Sequence, residues 1–378
     1  MRLSPRALNR ATLARQLLLE RERLPVVDAV RRVVALQAQE PASPYLALWN
    51  RLRGFDPAEL DAAFVSYALV KAPLMRITLH AVAADDHATF RDAMRTTLRA
   101  ARLNDQHFRS TGLSVDDVDD LASHLAAVAR RPQRRTEIEA LLAERLGAAP
   151  EPGVWWALRT VAPLVHAATG GPWSFGRTPA FVAVPESQGS DGPAVAKQRL
   201  VLRYLAAFGP ASRRDVAQFA LLRQSEVVPA LAALADAIEE LEGPDGETLY
   251  DVPAAPLPDD DVPAPPRLMA MWDSVLLAHK DRSRVIPPAY RPHVIRRNGD
   301  VLPTVLVDGF VCGVWRPVDC GIEVTAFQAL PEEAWAGIEW EARALLALLA
   351  GRDGDVYGRY GHWWKRLQGV EVRVVGPG

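Results

Sequence analysis

KQRLVLRYLAAFGPASRRDVAQFALLRQSEVVPALAALA, residues Lys197–Ala235, is the stretch whose reading decides the fold. Apolar residues recur at helical spacing from Lys197 to Ala207. Gly209-Pro210 then stops the helix, because proline lacks an amide hydrogen and its ring excludes the preceding residue from helical torsions. Ser212 offers a hydroxyl to the free amides of a short helix reaching Phe219. Leu221 to Ala235 supplies a third helix in the place of a recognition helix. An acidic turn, Gly243-Pro244-Asp245-Gly246, leads into a returning strand from Thr248 to Val252. Helix, turn, helix, helix and hairpin is the winged-helix order.

The same order is expected twice upstream. The middle copy runs through Val115–Ala129, breaks at Arg131-Pro132, and resumes at Thr136 with Glu139 at capping-box spacing. A helix over Val154–Leu164 and a wing over Val165–Val184, turning at Gly170-Gly171-Pro172, complete it. The first copy uses Pro5–Glu22, Asp28–Leu36 and Asp56–Tyr67, with strands through Leu69–Val82. No residue-for-residue repeat accompanies this order, so the period is architectural. Downstream, LPTVLV, Asp308-Gly309 and FVCGVW read as a hairpin, and Pro253–Pro266 reads as an extended, mobile linker. The expected fold class is α+β, mainly helical. Three tandem winged-helix units (1–112, 113–192, 193–266) surround a concave cleft, and a mixed region with a β-hairpin follows (267–378).

With 378 residues, 49% of them hydrophobic, the chain is long enough for several cores. No run of about 18 apolar residues suggests a membrane span, and the charged amino terminus lacks the apolar block of a signal peptide. A cytoplasmic protein is expected, with Cys312 and Cys320 reduced and buried. No metal site, phosphate loop or Ser-His-Asp pattern is present, and no cofactor is expected. Net charge is −2, unusual for a nucleic-acid binder, but the charge is segregated. Asp236–Asp261 holds ten acidic and no basic residues, whereas Met1–Arg53 holds ten arginines against four acids. A basic face and a solvated acidic loop are expected.

Gln37 and Gln39 stand in Ala35-Leu36-Gln37-Ala38-Gln39-Glu40-Pro41, where a helix beginning at a capping Asp28 gives way to extended chain before Pro41. On extended chain, residues two apart point the same way. Paired neutral amides can bracket a water or a sugar, hydrogen-bond a base edge, or cap the last carbonyls of the helix. The residues alone leave these readings open.

The segments LQAQEPASPYLALWNRL (36–52), MRITLHAV (75–82), YLAAFGPASRRDVAQFA (204–220), MWDSVLLAHKDRSRVIPPAYR (271–291) and NGDVLPTVLVDGFVCGVWR (298–316) resemble the AlkZ-type winged-helix DNA glycosylases. In that family the catalytic motif is a Gln, an intervening residue and a second Gln, with Asp in second place in a sister branch. Gln37 and Gln39 match the branch that protects antibiotic producers from their own DNA-alkylating products. The resemblance implies a monofunctional enzyme that releases cationic N-alkylated purines, N7-alkylguanine above all, from double-stranded DNA. Interstrand crosslinks fall within its implied range. Neutral amides suit such a leaving group, because a cationic base weakens its own bond to the sugar before the enzyme acts. Glu40 is a reserve base. Lys71, Lys197, Lys280 and Lys365 show no distinctive setting for a Schiff base. A monomer needing no protein partner is expected.

DNA contacts are expected from Arg91, Arg95 and Arg99, which share one helical stripe with Arg102. His80 ends the first wing, and His279 and Arg282 stand in a polar cluster that the resemblance places near the cleft. Phe310 at the hairpin tip is an expected apolar wedge. Each has an ordinary alternative: a solvated face, a satisfied histidine, a charged loop, an inward-packed strand residue. Trp363-Trp364 reads as core packing. A non-catalytic winged-helix DNA-binding or regulatory protein is the competing function. It would carry base-reading side chains on its recognition helices, whereas Arg223, Gln224 and Ser225 are followed mainly by Val, Ala and Leu. A small-molecule-sequestering protein is a third reading.

Overall fold

A computed structural model describes residues 2–184 and 192–377. Six short strands from the amino-terminal half share one antiparallel sheet: β1 (Leu36–Gln37), β2 (Leu69–Pro73), β3 (Leu79–Ala83), β4 (Gln133–Arg134), β5 (Leu164–Ala167) and β6 (Ala180–Ala183), in the order β1-β3-β2-β5-β6-β4. The two upstream wings are therefore not separate ribbons. Lys71 of β2 pairs with His166 of β5 and joins them. The physical reason lies in β2 and β5, which are nearly all buried. A lone two-stranded ribbon is marginal in water, and each hairpin covers the other's open edge.

Several helices are shorter than their apolar patterns. Pro5–Arg15, capped by Ser4, ends before Glu22. Val26–Arg32 starts ahead of Asp28, which sits in its first turn and pairs with Arg31, and it ends four residues before Leu36. Pro57–Val65 is capped by Asp56, and Pro152–Val161 replaces the expected Val154–Leu164. In the middle copy Glu137, not Glu139, closes the capping box, accepting from the Arg134 amide at 2.6 Å. A helix over Ser43–Arg51 and a 20-residue helix over Ala84–Leu103 complete the amino-terminal half. The wing end at Val184 is the last described residue before 192, so the expected boundary there adjoins residues outside the described set.

From Gly192 onward the expected order is present. Helices Gly192–Phe208, Arg213–Ala220 and Gln224–Ala233 precede the hairpin β7 (Glu239–Glu242) and β8 (Thr248–Asp251), paired from Glu239↔Asp251 to Glu242↔Thr248. Ser212 and Asp215 form a reciprocal capping box. Leu221, expected to open the third helix, instead closes the second with φ +50°.

The remainder is a five-stranded sheet, β13-β12-β11-β10-β9, of β9 (Arg267–Leu268), β10 (Thr304–Val307), β11 (Phe310–Val318), β12 (Gly321–Ala326) and β13 (Glu371–Val375). Helix Glu332–Ala350 packs on it over the fully buried Trp315 and Trp335. Asp308 and Gly309 both take positive φ, as a tight two-residue hairpin requires. Cys312 is buried and its thiol is pushed up to about 12 by burial, whereas Cys320, expected to be buried, is exposed at the β11–β12 turn.

The amino-terminal arginines do not form a free basic face. Arg15 pairs with Asp251 at 2.5 Å, Arg51 with Asp273 at 2.8 Å, Arg21 with Glu341 at 2.5 Å, and Arg10 with Asp308. Arg10, Arg15 and Arg51 are wholly buried. The acidic stretch supplies part of this neutralisation, so it is not simply a solvated loop. The linker is also pinned, contrary to its reading as mobile: Pro256, Asp260 and Val262 offer their carbonyls to Arg15, Arg6 and Arg10 at 3.0, 2.6 and 2.6 Å. Buried guanidinium groups demand acceptors, and these segments are what they found.

Candidate active site

Val34 turns the chain out of helix Val26–Arg32 with φ +73°, a torsion that a β-branched residue adopts only when its surroundings impose it. The chain then enters the sheet edge as β1, where Leu36 pairs with Ala81 and Gln37 with His80. Gln37 is 3% exposed, and its Oε1 accepts the Gln39 amide at 2.6 Å. The Ala38 amide donates to the Leu79 carbonyl at 2.8 Å. Gln39 lies exposed, with its Oε1 3.5 Å from the Leu79 amide, at the outer limit of a hydrogen bond. Both side-chain oxygens thus face amides of extended chain. The two glutamines share a strand end at different depths.

Next to them Glu40 is held by residues from the far end of the chain. Tyr360 donates its hydroxyl to Glu40 at 2.8 Å, and the Arg359 guanidinium bonds the same oxygen. Tyr360 stands edge-on to Trp272 at 5.5 Å. The Tyr357 hydroxyl meets the Ser43 hydroxyl at 2.9 Å and accepts the Met271 amide at 3.2 Å. Ser274 donates to the Ala35 carbonyl at 3.3 Å, and the Arg51–Asp273 pair lies directly behind. Trp272 and Tyr357 share the left-handed torsions of Val34, at φ +54° and +67°. Strained non-glycine residues therefore surround the motif on three segments, held by packing and hydrogen bonds.

His80 is not a surface histidine. It is fully buried, its Nδ1 donates to the Thr78 carbonyl at 3.0 Å, and its Nε2 lies 3.4 Å from Arg76 Nη2. Burial, and then the Arg76 charge, press it down to about 3, so the ring is neutral and Nε2 is an acceptor. His279 is also buried and donates to the Phe208 carbonyl at 2.9 Å, stitching its loop to the end of helix Gly192–Phe208. Arg282 donates to the carbonyls of Leu277, at 2.6 Å, and of His279.

Arg91, Arg95 and Arg99 do line one groove, of about 640 Å³, with Asp119, Thr160 and Val161. Arg91 donates to the Val161 carbonyl at 2.6 Å, Arg95 pairs with Asp92 at 3.2 Å, and Arg99 grips Asp119 at 2.5 and 2.9 Å. Neither glutamine lines that groove. Phe310 is half-buried at the start of β11. Its hairpin tip is docked on helix Pro5–Arg15, with Asp308 on Arg6 and Arg10 and the Gly309 carbonyl accepting from Asn9 at 2.9 Å. A wedge needs a free tip, and this one is tied down.

Lys71, which looked ordinary in sequence, is 4% exposed and stands over the Phe175 ring at 4.3 Å. Burial lowers its amine to about 8. Because it neighbours Ala72, the strand partner of His80, alternation sends it to the sheet face opposite Gln37 and His80. Arg76, Trp272, Tyr357, Arg359 and Tyr360 carried no local signal of a place at the site. Trp364 is buried as expected, and Trp363 donates to Asp300 at 2.8 Å. Among the described residues no group of three or more His, Cys, Asp or Glu is placed to hold a metal ion.

A family model described as DNA glycosylase AlkZ-like matches residues 30–348. A Streptomyces sahachiroi protein described as an interstrand DNA cross-link repair glycosylase is 26% identical over 347 residues, spanning 85% of this chain and 90% of that protein. Among solved structures, the Streptomyces sahachiroi DNA glycosylase AlkZ matches with a TM-score of 0.77 at 22% identity, covering 94% of this chain and 99% of that one. At that identity the likeness speaks for the fold. The stretch matched by the family model includes Gln37–Glu40 and ends before Tyr357, so the partners of Glu40 lie beyond it.

Proposed function

Because the chain belongs to the AlkZ-like DNA glycosylase family, we propose that it hydrolyses the N-glycosidic bond of cationic N-alkylated purines in duplex DNA, with Gln37 and Gln39 carrying the chemistry. The substrate class is of the N7-alkylguanine type, and interstrand crosslinks belong to it. The biological role is self-protection against a DNA-alkylating natural product.

The observation that carries this reading is the paired glutamines at a sheet edge, one buried and one exposed. Gln37 Oε1 fixes the backbone at Gln39, and that fixes where the exposed amide of Gln39 can reach. An amide oxygen there accepts a hydrogen bond from a water and turns its dipole toward a sugar gaining oxocarbenium character. This is modest stabilisation, sufficient for a base that leaves as a neutral molecule. Glu40 has Tyr360 and Arg359 on one oxygen and serves to hold the motif rather than to take a proton. Lys71, the buried lysine of that sheet, lies on the face opposite the glutamines, so a water-using reaction without a Schiff base or strand cleavage is favoured.

Three tandem winged-helix units with boundaries at 112, 192 and 266, followed by a carboxy-terminal region, are proposed as the frame of the DNA-binding cleft. The helix and hairpin order after Gly192 supports that division. Arg95 and Arg282 are the proposed backbone contacts among the expected set, and the enzyme is proposed to act as a monomer without cofactor. Among the described residues no helix is long and apolar enough to cross a membrane. The test is incubation with duplex DNA carrying one N7-alkylguanine, followed by mild alkali to cut at abasic sites. Strand cuts at the lesion are expected, and their absence would refute the proposal.

A further inference from the structure

Most guanidinium groups in the amino-terminal half face a carboxylate. Arg76, beside the glutamine face, does not, and neither does Arg282 from the carboxy-terminal half. Arg76 lies in the turn between β2 and β3, where it and Ile77 both take left-handed torsions, φ +55° and +58°. Two consecutive non-glycine residues in that region are held there by their surroundings. Backbone hydrogen bonds close the turn, with the Ile77 amide donating to the Leu74 carbonyl at 2.8 Å, and the Arg76 guanidinium lies 5.6 Å from the ring of Phe219 in helix Arg213–Ala220. Arg76 Nη2 reaches His80, and His80 is the strand partner of Gln37. Its Nη1 is shut off from solvent and has no hydrogen-bond partner. Arg282 stands near enough for the two charges to repel. Burial first, then Arg282, lowers Arg76 to about 9; burial with Arg291 lowers Arg282 to about 10 although Asp215 and Asp281 oppose that fall, so both stay charged at neutral pH. Neither has an ion pair with a carboxylate among the described residues.

Guanidinium groups without a carboxylate ion pair, one with an idle donor, fit an anion with several oxygens. The other components of the substrate do not fit here. A cationic base is repelled, and a sugar gaining positive charge would be opposed by Arg76 unless that charge were neutralised. We propose that Arg76 and Arg282 form a binding site for one DNA phosphodiester beside the damaged nucleotide, so that the substrate's own phosphate neutralises the cation next to Gln37. This rests on the reading of the chain as an enzyme of duplex DNA. It adds a register: one particular phosphate, not the backbone at large, is gripped beside the motif. The strained turn sets that register by fixing Arg76 against Phe219 and His80.

The experiment measures affinity, so it decides the site whether or not Gln37 and Gln39 perform the proposed chemistry. Duplexes carry one N7-alkylguanine on a 2′-fluoro sugar, which resists hydrolysis. The phosphates flanking the lesion are replaced one at a time by uncharged methylphosphonate. With the wild-type protein, one position should weaken binding about tenfold and the others about twofold or less. In Arg76→Gln or Arg282→Gln that special position should lose its effect, while Arg76→Lys should keep part of it. Thermal melts check that each variant is folded, and the wild-type series needs no variant. Uniform losses at all positions, no binding at all, or a position-specific loss that survives in both glutamine variants would overturn the proposal. Base release from an ordinary 2′-deoxy duplex, measured alongside, separates failure of the glycosylase reading from failure of this site.

Discussion

Replacing each motif glutamine by alanine should separate architecture from chemistry, because the two are held so differently. Gln37 is buried and its oxygen satisfies the Gln39 amide at 2.6 Å. Gln37→Ala leaves that part-buried donor without its partner, a loss of roughly 1–3 kcal/mol. Unfolding entropy of about 2.1 cal/mol/K per residue gives the whole chain, if it melts as one unit, about 0.8 kcal/mol/K. A 2 kcal/mol loss then lowers Tm by about 2–3 °C. The Gln39 side chain is exposed and its one bond among the described residues is marginal, so Gln39→Ala should change stability by less than about 0.5 kcal/mol. Base release should nonetheless fall about 100-fold in Gln39→Ala, the loss of one placed hydrogen bond of about 3 kcal/mol at the transition state. Gln37→Ala should fall at least as far, because the Gln39 backbone is no longer fixed. Gln39→Asp should exceed Gln39→Ala, since a carboxylate also orients water and opposes positive charge. Differential scanning fluorimetry reads the first quantity. Single-turnover base release at saturating enzyme reads the second, so binding defects do not intrude. Wild-type release by Gln39→Ala would refute the reasoning, as would equal stability of the two alanine variants.

Duplex affinity should fall with salt at a log-log slope of about −0.9 per phosphate contacted, and an affinity indifferent to salt between 50 and 200 mM would contradict a backbone-gripping cleft. Asp273→Ala strands the wholly buried Arg51 and should cost about 3–5 kcal/mol, read as a lower denaturant midpoint with an unchanged slope. His80 and His166, held down to about 3, and His87, to about 4, all chiefly by burial, take up protons near pH 6.5 only when unfolded. Their contribution is complete above that pH and is lost as pH falls, toward 4 for His87 and toward 3 for His80 and His166, by about 1.4 kcal/mol per histidine per unit. A denaturant midpoint equal at pH 7.5 and 5.0 would contradict their burial.

Features with local causes were legible in sequence. Gly209-Pro210 ends a helix and Ser212 starts one because each acts on its own backbone neighbours. Asp308-Gly309 turns a hairpin because its torsions are intrinsic. Gln37 and Gln39 were noticed because a proline forced the helix to end before it. The actual exit came earlier, at Val34, where packing overrode both helical periodicity and the torsional preference of valine. Arginine misled most. Arg10, Arg15 and Arg51 look solvent-seeking until their carboxylates, some 200 residues or more away, are known. The same distance hid Arg359 and Tyr360 from any reading of Glu40. The fusion of two hairpins into one sheet was hidden because edge-to-edge pairing leaves no mark on either strand alone.

The grip of Tyr357, Arg359 and Tyr360 on Ser43 and Glu40 has a consequence for synthesis. The motif leaves the ribosome early, whereas its partners emerge more than 300 residues later. At about 5–20 residues per second, that interval is roughly 15–60 s. Throughout it, the segment proposed to carry the chemistry lacks its outer wall. A nascent chain that stops short of Tyr357 therefore cannot carry a finished site. The order of synthesis itself delays completion of the proposed site until Tyr360 has been made.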